Sequence, residues 1–123
     1  MNQFPGYDQY QLELQMARSA RAAGNEGKAR VCARRAAGIV AGEYLKQRGF
    51  PVSDPSAYTR LKYLHSLPDI SEEIRQVTAH FLLRVNEDQY LPLPVDLVAE
   101  ASWLEKQLLF HKPPYDSDDF VDK

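Results

Sequence analysis

Twice in this sequence an arginine precedes a histidine by five positions: Arg60 with His65, and Arg75 with His80 in the run RQVTAH. The two residue types have complementary chemistry. A guanidinium is permanently charged and shaped to hold a phosphate, whereas an imidazole accepts or donates a proton near neutral pH. Together they supply what metal-free cleavage of RNA requires: a cation for the phosphodiester, and a group that moves the proton of the attacking 2′-hydroxyl. On a helix, five positions turn through about 140°, so the two side chains flank an apolar stripe and share no face. Two copies meeting across a dimer would gather them into one small basic cleft. Because the spacing occurs twice, spacing by itself assigns no role, and Arg60 and His65 read as surface residues. Arg75 and His80 are the candidate catalytic pair because a well-formed helix start precedes them.

A second concentration of charge comprises Arg18, Arg21, Lys28, Arg30, Arg34 and Arg35, opposed only by Glu26. A reversal at Gly24 folds these residues onto one end of the protein. Arg30, Arg34 and Arg35 are candidate phosphate-binding residues for RNA or a nucleotide. The same residues also suit a solvated helix face, or pairing with Asp116, Asp118, Asp119 and Asp122 near the C-terminus. No aromatic residues interleave with the run, which argues against base stacking there. A third feature is apolar: Ala99, Trp103 and Phe110 stand opposite the core stripe of the last helix. They are a candidate dimer interface or a seat for Tyr115 and Phe120.

The elements that must position these groups are helical throughout. Apolar spacing predicts a first helix over about 8–23, with Leu12, Met16, Ala20 and Ala23 as its inner stripe. Gly24, Asn25 and Gly27 form the turn into a long alanine-rich helix over about 26–48. That helix is apolar on most sides, the mark of a central element, and its Gly38 and Gly42 let neighbours approach. Ser53, Asp54 and Pro55 signal the start of a third helix carrying Ala57, Leu61 and Leu64, which ends near Leu67 and Pro68. Ser71 caps a fourth, with Glu72 and Glu73 favourable to its dipole and Ile74, Val77, Thr78, Phe81 and Val85 as its stripe. A fifth, over about 95–110, buries Leu97, Ala101, Leu104 and Leu108. The expected fold class is all-α: a compact up-and-down bundle of four to five helices, one domain over 1–112, followed by an acidic, proline-broken tail over 113–123.

Composition bounds the rest. A net charge of -2 and a pI near 5.9 give no global drive toward nucleic acid, so any affinity must be local. The single cysteine, Cys32, rules out an internal disulfide and a cysteine zinc site, and its alanine-rich surroundings predict a small buried hydrophobe. There is no glycine-rich phosphate loop, no HExxH and no ligand-like spacing of carboxylates and histidines, so neither metal nor cofactor is expected. The N-terminal residues lack the basic and apolar regions of a secretion signal, and no apolar run spans a bilayer. A cytoplasmic protein with no membrane contact is the expectation.

Two segments carry a resemblance. ARSARAAGNEGKARVCARRAAGIVAGEYL, beginning at Ala17, is similar to the first hairpin of the HEPN superfamily, and RQVTAH to its Arg-x(4 to 6)-His motif in a late helix. The likeness covers about residues 8–110. It implies a dimeric four- or five-helix bundle. Members are metal-independent endoribonucleases, often toxins paired with a nucleotidyltransferase-like antitoxin, or relatives that only bind or scaffold. By that resemblance Arg75 would contact the phosphate and His80 would move the proton. The hairpin also resembles a tetratricopeptide unit, which implies a non-catalytic interaction module; no second copy of the unit is present.

Overall fold

The computed structural model describes residues 4–83 and 95–109. Five helices follow in order: α1 (Tyr7–Ala22), α2 (Glu26–Gln47), α3 (Ala57–Ser66), α4 (Glu72–Leu82) and α5 (Leu97–Leu108). No strand occurs among the described residues. The architecture is the expected all-α compact bundle.

Local chemistry explains each boundary. At the end of α1, Gly24 adopts φ 81°, which glycine alone accepts without strain. Its N–H donates to Arg21 O at 2.9 Å, while Asn25 N–H donates to Ala20 O at 2.8 Å. Asn25 then starts α2 as well, its side chain accepting from Lys28 N–H at 3.1 Å. One residue thus closes one helix and opens the next. Gly49, φ 81°, repeats the same closure at the end of α2. Ser71 accepts from Ile74 N–H and Asp96 from Ala99 N–H, each at 3.1 Å, to start α4 and α5.

α2 is central and packs against α1, α3 and α5; α4 covers α3 and reaches α5. Its alanines are buried on several sides, from Ala29 through Ala33, Ala36 and Ala37 to Ala41, and Cys32 is buried with them. Gly38 and Gly42 have the expected use. A Cβ on Gly38 would lie 2.5 Å from the Ala57 side chain, and one on Gly42 would collide with the Arg60 guanidinium. Gly38 lets α3 cross α2 at backbone distance, and Gly42 leaves room for the Arg60 side chain.

Two expectations need correction. α1 turns inward not through Leu12 and Ala23 but through Tyr10, Leu14, Ala17 and Ala20, and Leu12 is 47% exposed. Both stripes have helical spacing. The one that wins buries the Tyr10 ring, beside Phe4 and Tyr7 and next to Glu105 of α5, whereas a Leu12 stripe would leave that ring in solvent. The start of α3 is also later than Ser53 and Pro55 suggest. Asp54 accepts from Ser56 N–H at 2.9 Å, a turn of its own, and the Ser56 hydroxyl then accepts from Thr59 N–H at 3.2 Å. The predicted stripe of α4 includes Val85, and the candidate interface on α5 includes Phe110; both positions lie outside the described residues, as does the tail. Ile74, Thr78 and Phe81 of α4 are buried, and so are Leu97, Ala101, Leu104 and Leu108 of α5.

Candidate functional site

Arg75 and His80 leave α4 on opposite flanks. Arg75 reaches back to α3: Nη1 donates to His65 O at 2.7 Å and Nη2 to Leu67 O at 3.1 Å. These carbonyls belong to the last turn of α3 and to its cap, where the helix leaves them without intrahelical donors. The guanidinium therefore closes the helix end, with Glu72 at 3.9 Å from its Nε. It is one-third exposed, and of its five N–H donors the two carbonyls occupy two.

His80 points the other way, to α5. Its Nδ1 lies 2.9 and 3.0 Å from the two oxygens of Glu100. A carboxylate only accepts, so Nδ1 carries the proton and Nε2 is the free nitrogen. Among the described residues Nε2 has no hydrogen-bond partner. Both side chains are about three-quarters buried, at 24% and 23% exposure, so the contact restricts the orientation of a partly exposed ring.

The second Arg–His pair separates in the same manner. Arg60 lies over Gly42 and donates from Nε to Asp54 O at 2.9 Å. His65 turns to α4, its Nδ1 2.9 Å from the Thr78 hydroxyl. That hydroxyl gives its one hydrogen to Arg75 O at 2.9 Å, so it accepts from Nδ1–H of His65. The arginine and histidine that become neighbours are thus Arg75 and His65, one from each motif.

Of the candidate phosphate-binding residues, Arg34 reaches α4, donating from Nε to Phe81 O at 3.0 Å and from Nη2 to Leu83 O at 3.4 Å. Arg30 is half-buried and Arg35 exposed on α2. Arg21 joins α1 to two neighbours, with Glu26 at 2.7 Å and Asp96 at 2.9 Å. Its hydrogen bonds hold the Glu26 carboxyl below the usual range. At Asp96 burial opposes ionisation, yet the bonds from Arg21 and Ala99 N–H outweigh it and the carboxyl is again lowered. Ala99 is exposed on α5 and Trp103 half-buried.

Glu100 is the partner of His80 that sequence reading missed. Nothing in the local pattern of α5 links a glutamate to a histidine twenty positions earlier; only the packing of α4 on α5 does so. Among the described residues no group of three or more histidines, cysteines or acids is placed to hold a metal ion. No described helix is long and apolar enough to cross a membrane. No family model, curated protein or solved structure matches the chain.

Proposed function

We propose that this chain is a HEPN-like RNA-binding bundle that cleaves RNA without a metal, with His80 as the proton-transfer group. The observation that carries the reading is the His80 imidazole held by both oxygens of Glu100, with no hydrogen-bond partner on Nε2 among the described residues. A carboxylate on Nδ1 fixes the tautomer and faces the positive charge that develops when Nε2 takes a proton. In the reaction Nε2 accepts the proton of a 2′-hydroxyl as that oxygen attacks phosphorus. The bond to the 5′-oxygen breaks, and the proton is returned to the leaving oxygen. Arg75 supplies the cation with the donors its two carbonyls leave unused. Because the two side chains leave α4 on opposite flanks, a homodimer is part of the proposal: one protomer's Arg75 meets the phosphate held against the partner's His80.

The test is expression of the wild type and of His80→Ala, with total RNA examined for cleavage. His80→Ala and Glu100→Gln are expected to lose activity, by about 10²–10⁴-fold for the first and less for the second. His65→Ala should retain it. Equal RNA integrity with wild type and His80→Ala, and no growth effect from either, would sink the ribonuclease reading. The second reading, a non-catalytic interaction module, draws on the engagement of Arg34 and Arg75 with helix-end carbonyls. It predicts that all four proteins leave RNA untouched.

A further inference from the structure

Between α1 and α5 runs an open groove of about 470 Å³, lined by Arg18, Arg21, Asp96, Ser102, Trp103 and Lys106 among others. Its charges are not equivalent. Arg21 is held by Glu26 and Asp96, and Asp96 also caps its own helix through Ala99 N–H. The groove's carboxylate is therefore occupied from two sides. Arg18 and Lys106 are exposed, and among the described residues neither makes an ion pair or a side-chain hydrogen bond. The half-buried Trp103 lines the same groove. Along the sequence the basic run carries no aromatic; the fold supplies one by laying α5 beside α1.

We infer that this groove binds single-stranded RNA, its phosphates between Arg18 and Lys106 and a base against the Trp103 indole. Exposed cations beside an aromatic face are the combination that single strands use, backbone to charge and base to ring. An acidic peptide would satisfy the cations, but the place of Trp103 on α5 favours RNA. Trp103 lies three positions after Glu100 on α5, so the two side chains are neighbours on the helix surface. A strand passing over Trp103 is thereby delivered to the side of α5 that holds His80. The inference rests on the function proposed above and adds to it a binding track outside the His80 site.

Trp103 is the only tryptophan, so its fluorescence reports on the groove directly. The probe is a 2′-O-methyl oligouridine of about 10 nucleotides, which binds as a single strand and lacks the attacking hydroxyl. It should quench Trp103 in the full-length protein and be displaced by salt. The double variant Arg18→Glu, Lys106→Glu should weaken binding at least about tenfold and reduce the slope of log affinity against log salt by about 1.4. Trp103→Ala, followed by anisotropy of a labelled oligonucleotide, should weaken binding about tenfold, and Trp103→Phe should restore part of it. Cleavage of ordinary RNA by the double variant should show a raised KM with kcat retained. Circular dichroism melting of each variant checks that these exposed changes leave the fold intact. Normal binding by the charge-reversed and Trp103→Ala proteins would overturn the groove while leaving His80 chemistry standing. Quenching by free uridine monophosphate at the same concentration as the oligonucleotide would overturn a strand site. Absence of any RNA binding by the wild type would overturn both this inference and the function on which it rests.

Discussion

The end of α3 and the end of α4 are built to the same plan and finish differently. Each helix carries an arginine five positions before a histidine. Each ends on an extended cap residue, Leu67 with φ -68° and ψ 135°, and Leu83 with φ -67° and ψ 143°. Each has a guanidinium from a neighbouring helix on two carbonyls: Arg75 on His65 and Leu67, Arg34 on Phe81 and Leu83. The difference lies in the imidazoles. His65 meets the Thr78 hydroxyl, inside a chain of bonds that returns to Arg75 O and involves no charged acceptor. His80 meets a carboxylate, Glu100, on α5. A hydroxyl orients a ring; a carboxylate orients it and also compensates the charge it acquires. The same spacing thus yields a hydroxyl-held ring in one place and a carboxylate-held ring, the proposed proton-transfer group, in the other, and the deciding residue belongs to another helix each time.

The sharpest way to break this comparison is to remove the shared clamp. Arg75→Ala strips charged donors from two helix-end carbonyls, and such bonds are worth about 1.5–3 kcal/mol each when buried. With the guanidinium one-third exposed, water replaces part of that, so a loss of about 2 kcal/mol in unfolding free energy is expected by urea titration. Arg75→Lys should recover less than half, since one ammonium cannot span both carbonyls. A change below 0.5 kcal/mol would show that the carbonyls are satisfied by water and that the clamp is incidental.

A smaller effect separates the two histidines. Thr78 is fully buried, and its hydroxyl accepts from His65 while donating to Arg75 O. Thr78→Val keeps the volume and removes both bonds, for a loss of about 1–2 kcal/mol. RNA cleavage should persist in the variant at temperatures where it stays folded. If Thr78→Val abolished cleavage without unfolding, His65 would have to be assigned to the site.

Much of this bundle was legible in the sequence because its boundaries are written in local chemistry. Gly24, Gly49, Ser71 and Asp96 act through neighbours a few positions away, and the alanines of α2 announce a helix surrounded by others. The inner stripe of α1 was not legible, since Leu12, Met16 and Ala20 have the same period as Tyr10, Leu14 and Ala17. Only the area that each stripe buries against α2 decides between them. The site was legible in half. RQVTAH marks His80, but the Glu100 contact, the redirection of Arg75 to α3, and the groove shared by Trp103 and Arg18 arise between helices. Sequence spacing along one helix cannot express them.

The smallest expected effect concerns the other wall of the comparison, where α5 meets α1. At the α3 end the polar groups are paired, but Glu105 is buried with Lys106 as its nearby cation, and burial raises its carboxyl above the ordinary 4.5. Tyr10 is raised too, by its own burial first and then by the charge of Glu105. The sign follows from linkage. Below about pH 4.5 Glu105 is protonated in both folded and unfolded chains and contributes no penalty. As the pH rises through the elevated folded value, the unfolded chain releases its proton more readily, and stability falls. Glu105→Gln keeps the shape and cannot ionise, so it should match the wild type at pH 4 and exceed it at pH 7 by up to about 1 kcal/mol. Thermal melts of both proteins across that range measure the difference directly. A variant less stable than the wild type at pH 7 would mean that the Glu105 carboxylate is compensated after all, and that the α1–α5 wall is as fully paired as the end of α3.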